Sequence, residues 1–162
     1  MTAFSPIPVD DPLAAELLDE YFTSRELGFT THPGGYRIVH PDPATFTPPA
    51  GVFLVARSDE GAVIGCGGLR MLDPSRGEIK HLWMRPTARG TGAGRALLAD
   101  LERRAAEFGA TDVVLDTNES LEAAQHIYRT SGYSEVPPYN DNRNATHWFR
   151  KTVGTGQPGA AH

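Results

Sequence analysis

The chain has one cysteine, Cys66, in 162 residues. That excludes an intramolecular disulfide and any metal site built on several thiolates. Cys66 sits in Ile64-Gly65-Cys66-Gly67-Gly68 with no basic residue beside it in sequence to lower its pKa, so a packed thiol is favoured over a nucleophile. The six histidines, at 32, 40, 81, 126, 147 and 162, lack a ligand spacing such as His-Glu-x-x-His, and no metal is expected. Long apolar runs are missing as well. Val52-Phe53-Leu54-Val55-Ala56 falls far short of the ~20 residues that a membrane-crossing helix needs, so no membrane partner is expected. The stretch Met1-Thr2-Ala3-Phe4-Ser5-Pro6 has no basic region leading into an apolar one, which makes the cytoplasm the expected location. There is no basic excess either: the formal net charge is −5, with seven acids and two bases in residues 1–50 and thirteen of each afterwards. Nucleic acid is therefore a poor partner, because its binders carry a basic face. The N-terminal acids read either as a solvated helix face or as an acidic wall that favours cationic amines at a substrate entrance.

What is present is the composition of a soluble globular chain, 40% hydrophobic and 22% charged. One domain over residues 1–153 is expected, with 154–162 a flexible tail rich in glycine. Leu13, Leu17, Phe22 and Leu27 suggest a helix over 12–27 that opens with Asp11 as cap and Pro12 in the first turn. Residues 28–51 show no regular pattern. Strands are expected at 52–57 and 62–71 across the turn Ser58-Asp59-Glu60-Gly61, and again at 77–84. A helix over 92–108 buries Leu97, Leu101, Ala105 and Phe108 and stops at Gly109. Val113-Val114-Leu115 forms a short buried strand. Asn118 caps a helix whose first turn holds Glu119 and Glu122, whose apolar face is Leu121, Ala124, Ile127 and Tyr128, and which ends at Gly132. A last strand is expected within 145–153. The helix between the strands at 77–84 and 112–117 implies a crossover that sets these two side by side and parallel.

The segment from Glu78 to Arg95 carries the chemistry. An apolar strand runs into a loop with Arg89, Gly90, Gly92, Gly94 and Arg95, and a helix starts at once. Glycines let backbone N–H groups approach an anion, the helix N-terminus adds partial positive charge, and arginine adds bidentate donors. A P-loop is excluded because no lysine follows Gly94. A dinucleotide fingerprint is weakened by Arg95 where a small residue belongs, and by the five residues between strand and loop, although Asp116 imitates the acid that would hold a ribose.

Arg89-Gly90-Thr91-Gly92-Ala93-Gly94 closely resembles the acetyl-CoA pyrophosphate loop of the GNAT superfamily of N-acetyltransferases. Glu78-Ile-Lys-His-Leu-Trp-Met-Arg-Pro resembles that family's fourth strand, and the segment from Ala124 to Tyr133 resembles its Ala-x-x-x-Tyr-x-x-x-Gly-Phe/Tyr motif. Together these cover about residues 52–153. The resemblance implies an α+β (mixed α/β) fold: a central mixed, mostly antiparallel twisted sheet flanked by helices, with a splayed pair of parallel strands at 77–84 and 112–117. It also implies acetyl-CoA as cosubstrate, bound by Leu82, Trp83, Met84, Arg89, Gly90, Thr91, Gly92, Ala93, Gly94, Arg95 and Tyr128. Glu78 occupies the position of the general base in several members, and Tyr128 that of the acid for the departing thiolate. An exposed strand-start acid and a core tyrosine are the competing readings of these two residues. The family often has Asn seven residues before the tyrosine; here that position is Leu121, and Asn118 either caps the helix or contacts the cofactor.

The expected activity is acetyl transfer to a primary amine, of a small molecule, in a ternary complex. The alternatives are a non-catalytic acetyl-CoA-binding regulatory module, or acetylation of a protein lysine or N-terminus. The acceptor site is expected among the N-terminal helix, residues 28–50 and the loop from Pro137 to Asn144, where Tyr21, Phe22, Tyr36, Phe46 and Tyr139 supply aromatic surface. Self-association, where it occurs, is expected as a homodimer.

Overall fold

The computed structural model describes residues 2–28, 40–118 and 122–154. In chain order the elements are β1 (Ala3–Pro6), α1 (Pro12–Gly28), β2 (Gly51–Arg57), β3 (Val63–Asp73), β4 (Arg76–Met84), α2 (Ala93–Glu107), β5 (Asp112–Thr117), α3 (Glu122–Thr130), β6 (Ser134–Val136) and β7 (His147–Thr152), with a 3-10 turn at Pro86–Ala88. The seven strands form one sheet in the order β1-β2-β3-β4-β5-β7-β6. The β4–β5 pair is parallel and the other pairs are antiparallel. The mixed, mostly antiparallel sheet and the parallel placement of β4 and β5 are as expected.

Strand periodicity explains the layers. Successive residues of a strand face opposite sides, and β2 is apolar at every step, so it is buried on both. Val52, Leu54 and Ala56 join Leu97, Leu101 and Ala105 of α2 and Tyr128 of α3 in one core. Phe53 and Val55 join Ala14, Leu17, Leu18 and Phe22 of α1 in the other. Thus α2 and α3 cover one face and α1 the opposite one. The Asp11 cap forms as expected, its Oδ1 accepting from the Leu13 N–H at 2.8 Å. The Leu27 side chain, Glu119, Leu121, residues 29–39 and the tail from 155 lie outside the described residues. Within 40–50 the chain runs in turns.

Two strands escape the sequence reading. β1 has four residues and holds its place by pairing with β2, and β6 has three and pairs with β7. Neither is long enough to show an alternation.

Two irregularities in β4 open space beside it. Its pairing with β5 stops at Glu78↔Val114, although β4 continues to Met84 and β5 to Thr117. The strands therefore splay. On the other edge, Cys66 faces Trp83 and Gly68 faces Lys80, so His81 and Leu82 oppose Gly67 alone. This is a β-bulge, with His81 at φ 58° in the left-handed region.

Candidate active site

The loop after β4 is a cradle of unspent donors. Gly90 and Gly92 have φ of 80° and 87°, where a side chain would be strained. Thr91 pins the turn: its hydroxyl donates to the Ala88 carbonyl at 2.5 Å and accepts from the Ala93 N–H at 3.3 Å. Gly92 then serves as N-cap of α2 without any side-chain cap bond. Among the described residues, no acceptor meets the N–H groups of Gly90, Gly92, Gly94 or Arg95. Buried or ligand-facing donors of this kind need a partner, and an anion at a helix N-terminus is a natural one.

This loop forms one wall of a groove of about 800 Å³. Arg89, Gly90, Gly92, Gly94 and Arg95 line it from the loop, Leu82, Trp83 and Met84 from β4, and Ile127 and Tyr128 from α3. Thr91 and Ala93 shape the loop without lining the groove. Arg89 lies over the Trp83 ring at 5.0 Å and donates from Nε to the Met84 carbonyl at 3.2 Å. Arg95 donates to the Ser131 hydroxyl at 2.8 Å, while Asp100 is taken by Arg103 and Arg104. Along β4 the polar backbone groups alternate in direction. Because the Arg85 N–H bonds the Ile64 carbonyl on β3, the N–H groups of Met84 and Leu82 turn the other way, into the gap opened by the splay.

A second cavity, of about 360 Å³, lies beyond that gap. It shares Tyr21, Leu82, Ala124 and Tyr128 with the groove, so the two meet there. Its polar lining includes Arg70 of β3, Lys80 of β4, Asp116 of β5 and Asn142 of the last loop. That loop is stitched down by side chains. Tyr139 donates to Glu78 Oε2 at 2.6 Å, Asn140 and Asn142 donate to the two oxygens of Asp116 at 2.8 and 3.1 Å, and Trp148 Nε1 donates to the Asn140 side-chain Oδ1 at 2.8 Å.

The structure changes how several sequence-picked residues read. Glu78 is no exposed strand-start acid: its side chain is fully buried at the splay point, with Oε1 accepting from Arg70 Nε at 2.7 Å and Oε2 from Tyr139. Burial first, then the charges of Glu78 and Asp116, push the Tyr139 hydroxyl far above the ordinary tyrosine range. Tyr139 therefore stays protonated. Tyr128 is buried at 6% exposure and faces both cavities. Asn118 is buried with its amide donating to the Asn144 carbonyl at 3.0 Å, which ties β5 to the last loop. It lines neither cavity. Asp116 lines the smaller cavity and not the groove under the loop, so it is not placed to hold a ribose beside that loop. Cys66 is fully buried, and burial pushes its thiol strongly upward, as fits a packed thiol.

Of the N-terminal acids, Asp10, Glu16 and Asp19 are exposed, as on a solvated face, and Asp42 lies in the lining of the smaller cavity, but two of them are also paired. Arg85 Nη2 reaches Glu16 at 2.6 Å and Glu20 at 2.8 Å, and Trp83 Nε1 donates to Glu20 at 3.2 Å. Glu16 and Glu20 thus dock α1 onto the end of β4. The sequence points to the loop from Pro137 to Asn144 without singling out Asn140 or Asn142, and gives no notice of Arg70 or Lys80 as site residues. Only the Arg70↔Glu78 register across the β3–β4 hairpin carried a signal, since opposed charges on facing strands attract. Among the described residues there is no metal-binding cluster, and no helix is long and apolar enough to cross a membrane.

Comparison with known proteins agrees with this geometry. The chain is 33% identical over 98 residues to an uncharacterised N-acetyltransferase of Schizosaccharomyces pombe, an alignment covering 60% of each chain. It thus spans somewhat over half the length of the curated relatives it matches, 57% and 55% in the next two. An acetyltransferase of the GNAT family from Staphylococcus aureus superposes with a TM-score of 0.72 at 17% identity, covering 95% of this chain and 100% of that one. A GNAT family acetyltransferase from Elizabethkingia anophelis with acetyl-CoA bound superposes at 0.63 and 17% identity, covering 94% and 98%. At such identities the superpositions speak for the fold, but residues 14–133 also match the sequence profile of the Acetyltransferase (GNAT) family. With that profile spanning the loop, the splayed strands and Tyr128, the chain belongs to the GNAT acetyltransferase family.

Proposed function

We propose that this protein is a cytoplasmic, single-domain N-acetyltransferase that moves the acetyl group of acetyl-CoA to a primary amine of a small molecule. The observation that carries this reading is the meeting of two cavities at Leu82 and Tyr128, one under an anion cradle and one lined by polar side chains. The residues present fit acetyl-CoA: unspent N–H groups and two arginines suit its phosphates, and the β4–β5 gap offers backbone donors to an extended arm. When bound, acetyl-CoA supplies an activated acyl group on a thiol leaving group. In the balanced reaction a C–N bond forms as the C–S bond breaks, the nitrogen gives up a proton, and the sulfur takes one.

Each residue then has a task. Gly90, Gly92, Gly94 and Arg95 hold phosphate through their N–H groups, with Arg89 and Arg95 adding charge. A β4 N–H, that of Leu82 or Met84, polarises the thioester carbonyl. Tyr128 donates the proton to sulfur. A free alkylamine has a pKa near ~10.4, so it must lose a proton first. Since both oxygens of Glu78 are already held, Glu78 takes this proton through Tyr139, which passes its own hydroxyl proton to Oε2 as it accepts another. The raised Tyr139 pKa makes this a concerted relay without a standing tyrosinate. Asn118 acts by fixing the last loop through Asn144.

The test is a thiol-release screen with acetyl-CoA against amines, amino acids, polyamines and peptides. Acceptor-dependent release is expected, and failure to bind acetyl-CoA defeats the proposal.

A further inference from the structure

The smaller cavity is lined by three charged side chains from the sheet, Arg70, Lys80 and Asp116, with Glu78 buried behind Arg70, and the hydrogen-bonding capacity of these four groups is unequally spent. Glu78 has an oxygen on Arg70 and an oxygen on Tyr139. Asp116 has one on Asn140 and one on Asn142. The buried acids are satisfied. The bases are not. Arg70 uses only Nε, and among the described residues its two terminal nitrogens make no hydrogen bond. Lys80 Nζ lies 3.6 Å from Asp116 Oδ1, an ion pair beyond hydrogen-bond distance, and its three N–H groups find no acceptor among the described residues. Asp42, the carboxylate that joins Asp116 in the described lining, is exposed and accepts from the Ala44 N–H at 3.0 Å.

The two bases are also placed to act together. Arg70 faces Glu78 across the β3–β4 ladder, and Lys80 is two residues beyond Glu78 on the same face, so the pair is diagonal. Diagonal neighbours lie about 7–8 Å apart, within reach of long side chains. Their side chains are 38% and 22% exposed, enough to meet a ligand and shielded enough for charge to matter. Resting on the acetyltransferase reading, we propose that this cavity selects an acceptor amine that also carries a carboxylate, gripped by the Arg70 terminal nitrogens and Lys80 Nζ. An ammonium-rich acceptor such as a polyamine would find saturated acids and two bases with open N–H groups. A carboxylate finds seven open N–H groups on two cationic side chains, donors that the carboxylates already present leave unused. Lys80 precedes Leu82 by two residues, so the anion is held one strand step from the place where the cavities meet.

The experiment compares matched acceptors that differ only in the carboxylate: glycine with methylamine, β-alanine with ethylamine, phenylalanine with phenethylamine. Initial rates of thiol release give kcat/KM for each, and calorimetry follows acetyl-CoA binding separately. In at least one pair the amino acid is expected to lead by about tenfold or more. Lys80→Met is expected to cut that lead about tenfold, through KM for the amino acid, and Arg70→Lys to cut it while keeping a charge beside Glu78. Asp116 retains both asparagine donors in the lysine variant, which favours a folded protein. Plain amines equal to or better than their partners in every pair overturn this inference and leave the acetyltransferase reading standing. Equal losses on both members of a pair in Lys80→Met assign that residue to structure and likewise overturn it. Absence of acetyl-CoA binding overturns both readings.

Discussion

The groove under the glycine loop and the cavity beside Arg70 meet at Tyr128, yet they are built in opposite ways. The groove is made from one continuous segment, β4 through the start of α2, and its donors are backbone N–H groups whose direction follows from φ at two glycines. The cavity is made from side chains of β3, β4, β5, the 40–46 turns and the last loop. Its acid Asp116 is held by amides up to 26 residues away in sequence, and Glu78 behind Arg70 by a tyrosine 61 residues away. A backbone site tolerates sequence change wherever the turn survives. A side-chain site changes specificity with each substitution. The difference teaches that the groove rests on backbone conformation and the cavity on side-chain identity, so the two should respond differently to substitution.

Tyr128 belongs to both halves, so its loss should have the largest effect. Tyr128→Phe is expected to lower kcat by about 10²-fold or more while KM for acetyl-CoA stays within about twofold; an unaltered turnover removes it as the acid. Glu78→Gln and Tyr139→Phe break the cavity side. Each should lower kcat/KM by about 10²-fold at pH 7 and recover as pH approaches the amine pKa near 10.4, because a free amine no longer needs the relay. A flat deficit from pH 7 to 10 would falsify the relay. Tyr139→Phe also strips a donor from a fully buried carboxylate, at a cost of about 1–3 kcal/mol that thermal unfolding will register. Gly92→Ala breaks the groove side more gently. Holding alanine at φ 87° costs about 1–2 kcal/mol, which is about a 5- to 30-fold rise in KM for acetyl-CoA if strain moves the cradle, with kcat little changed. A kcat loss as large as the KM rise would show that the two halves are not separable at this residue.

The same contrast sets how much of the fold and the site was legible in the sequence. The loop was readable because glycine identity reports φ directly, and β4, α2 and α3 because their apolar residues keep a period. The parallel placement of β4 and β5 followed from an intervening helix. The loop holding Asn142 is expected at the acceptor site, but its joining with Arg70 and Lys80 is not legible, since that depends on strand register and on a chain that returns from far along the sequence. Tyr139 was seen only as aromatic surface, because nothing local shows that its hydroxyl meets Glu78. Glu78 was recognised by its position in a motif, but its burial was hidden: a lone acid beginning a strand carries no mark of the two donors that await it. The docking role of Glu16 and Glu20 is hidden for a related reason. Their partner Arg85 is 65 residues away from Glu20, and charge counted along the sequence cannot see an ion pair.

The smallest effect tests whether α1, which carries Tyr21 into both cavities, belongs to either half or only supports them. Hydrogen bonds from Arg85, opposed in part by burial and aided by Trp83, hold the Glu20 carboxyl below its ordinary value of 4.5. A carboxyl whose folded pKa is depressed stabilises the fold above its unfolded pKa and loses that contribution as pH falls through the folded value. Glu20→Gln should therefore be less stable than the parent protein at pH 7, and the difference should close below 4.5. The Glu20 side chain is 34% exposed, so solvent screening limits the loss to about 1 kcal/mol or less. Thermal unfolding at neutral and acid pH measures it. Kinetic constants at 25 °C should hardly move if α1 is a support. A fall in kcat/KM without a fall in stability would instead make the Glu20–Arg85–Trp83 contact part of the groove, since Trp83 carries Arg89 on its ring and Arg89 lines that wall.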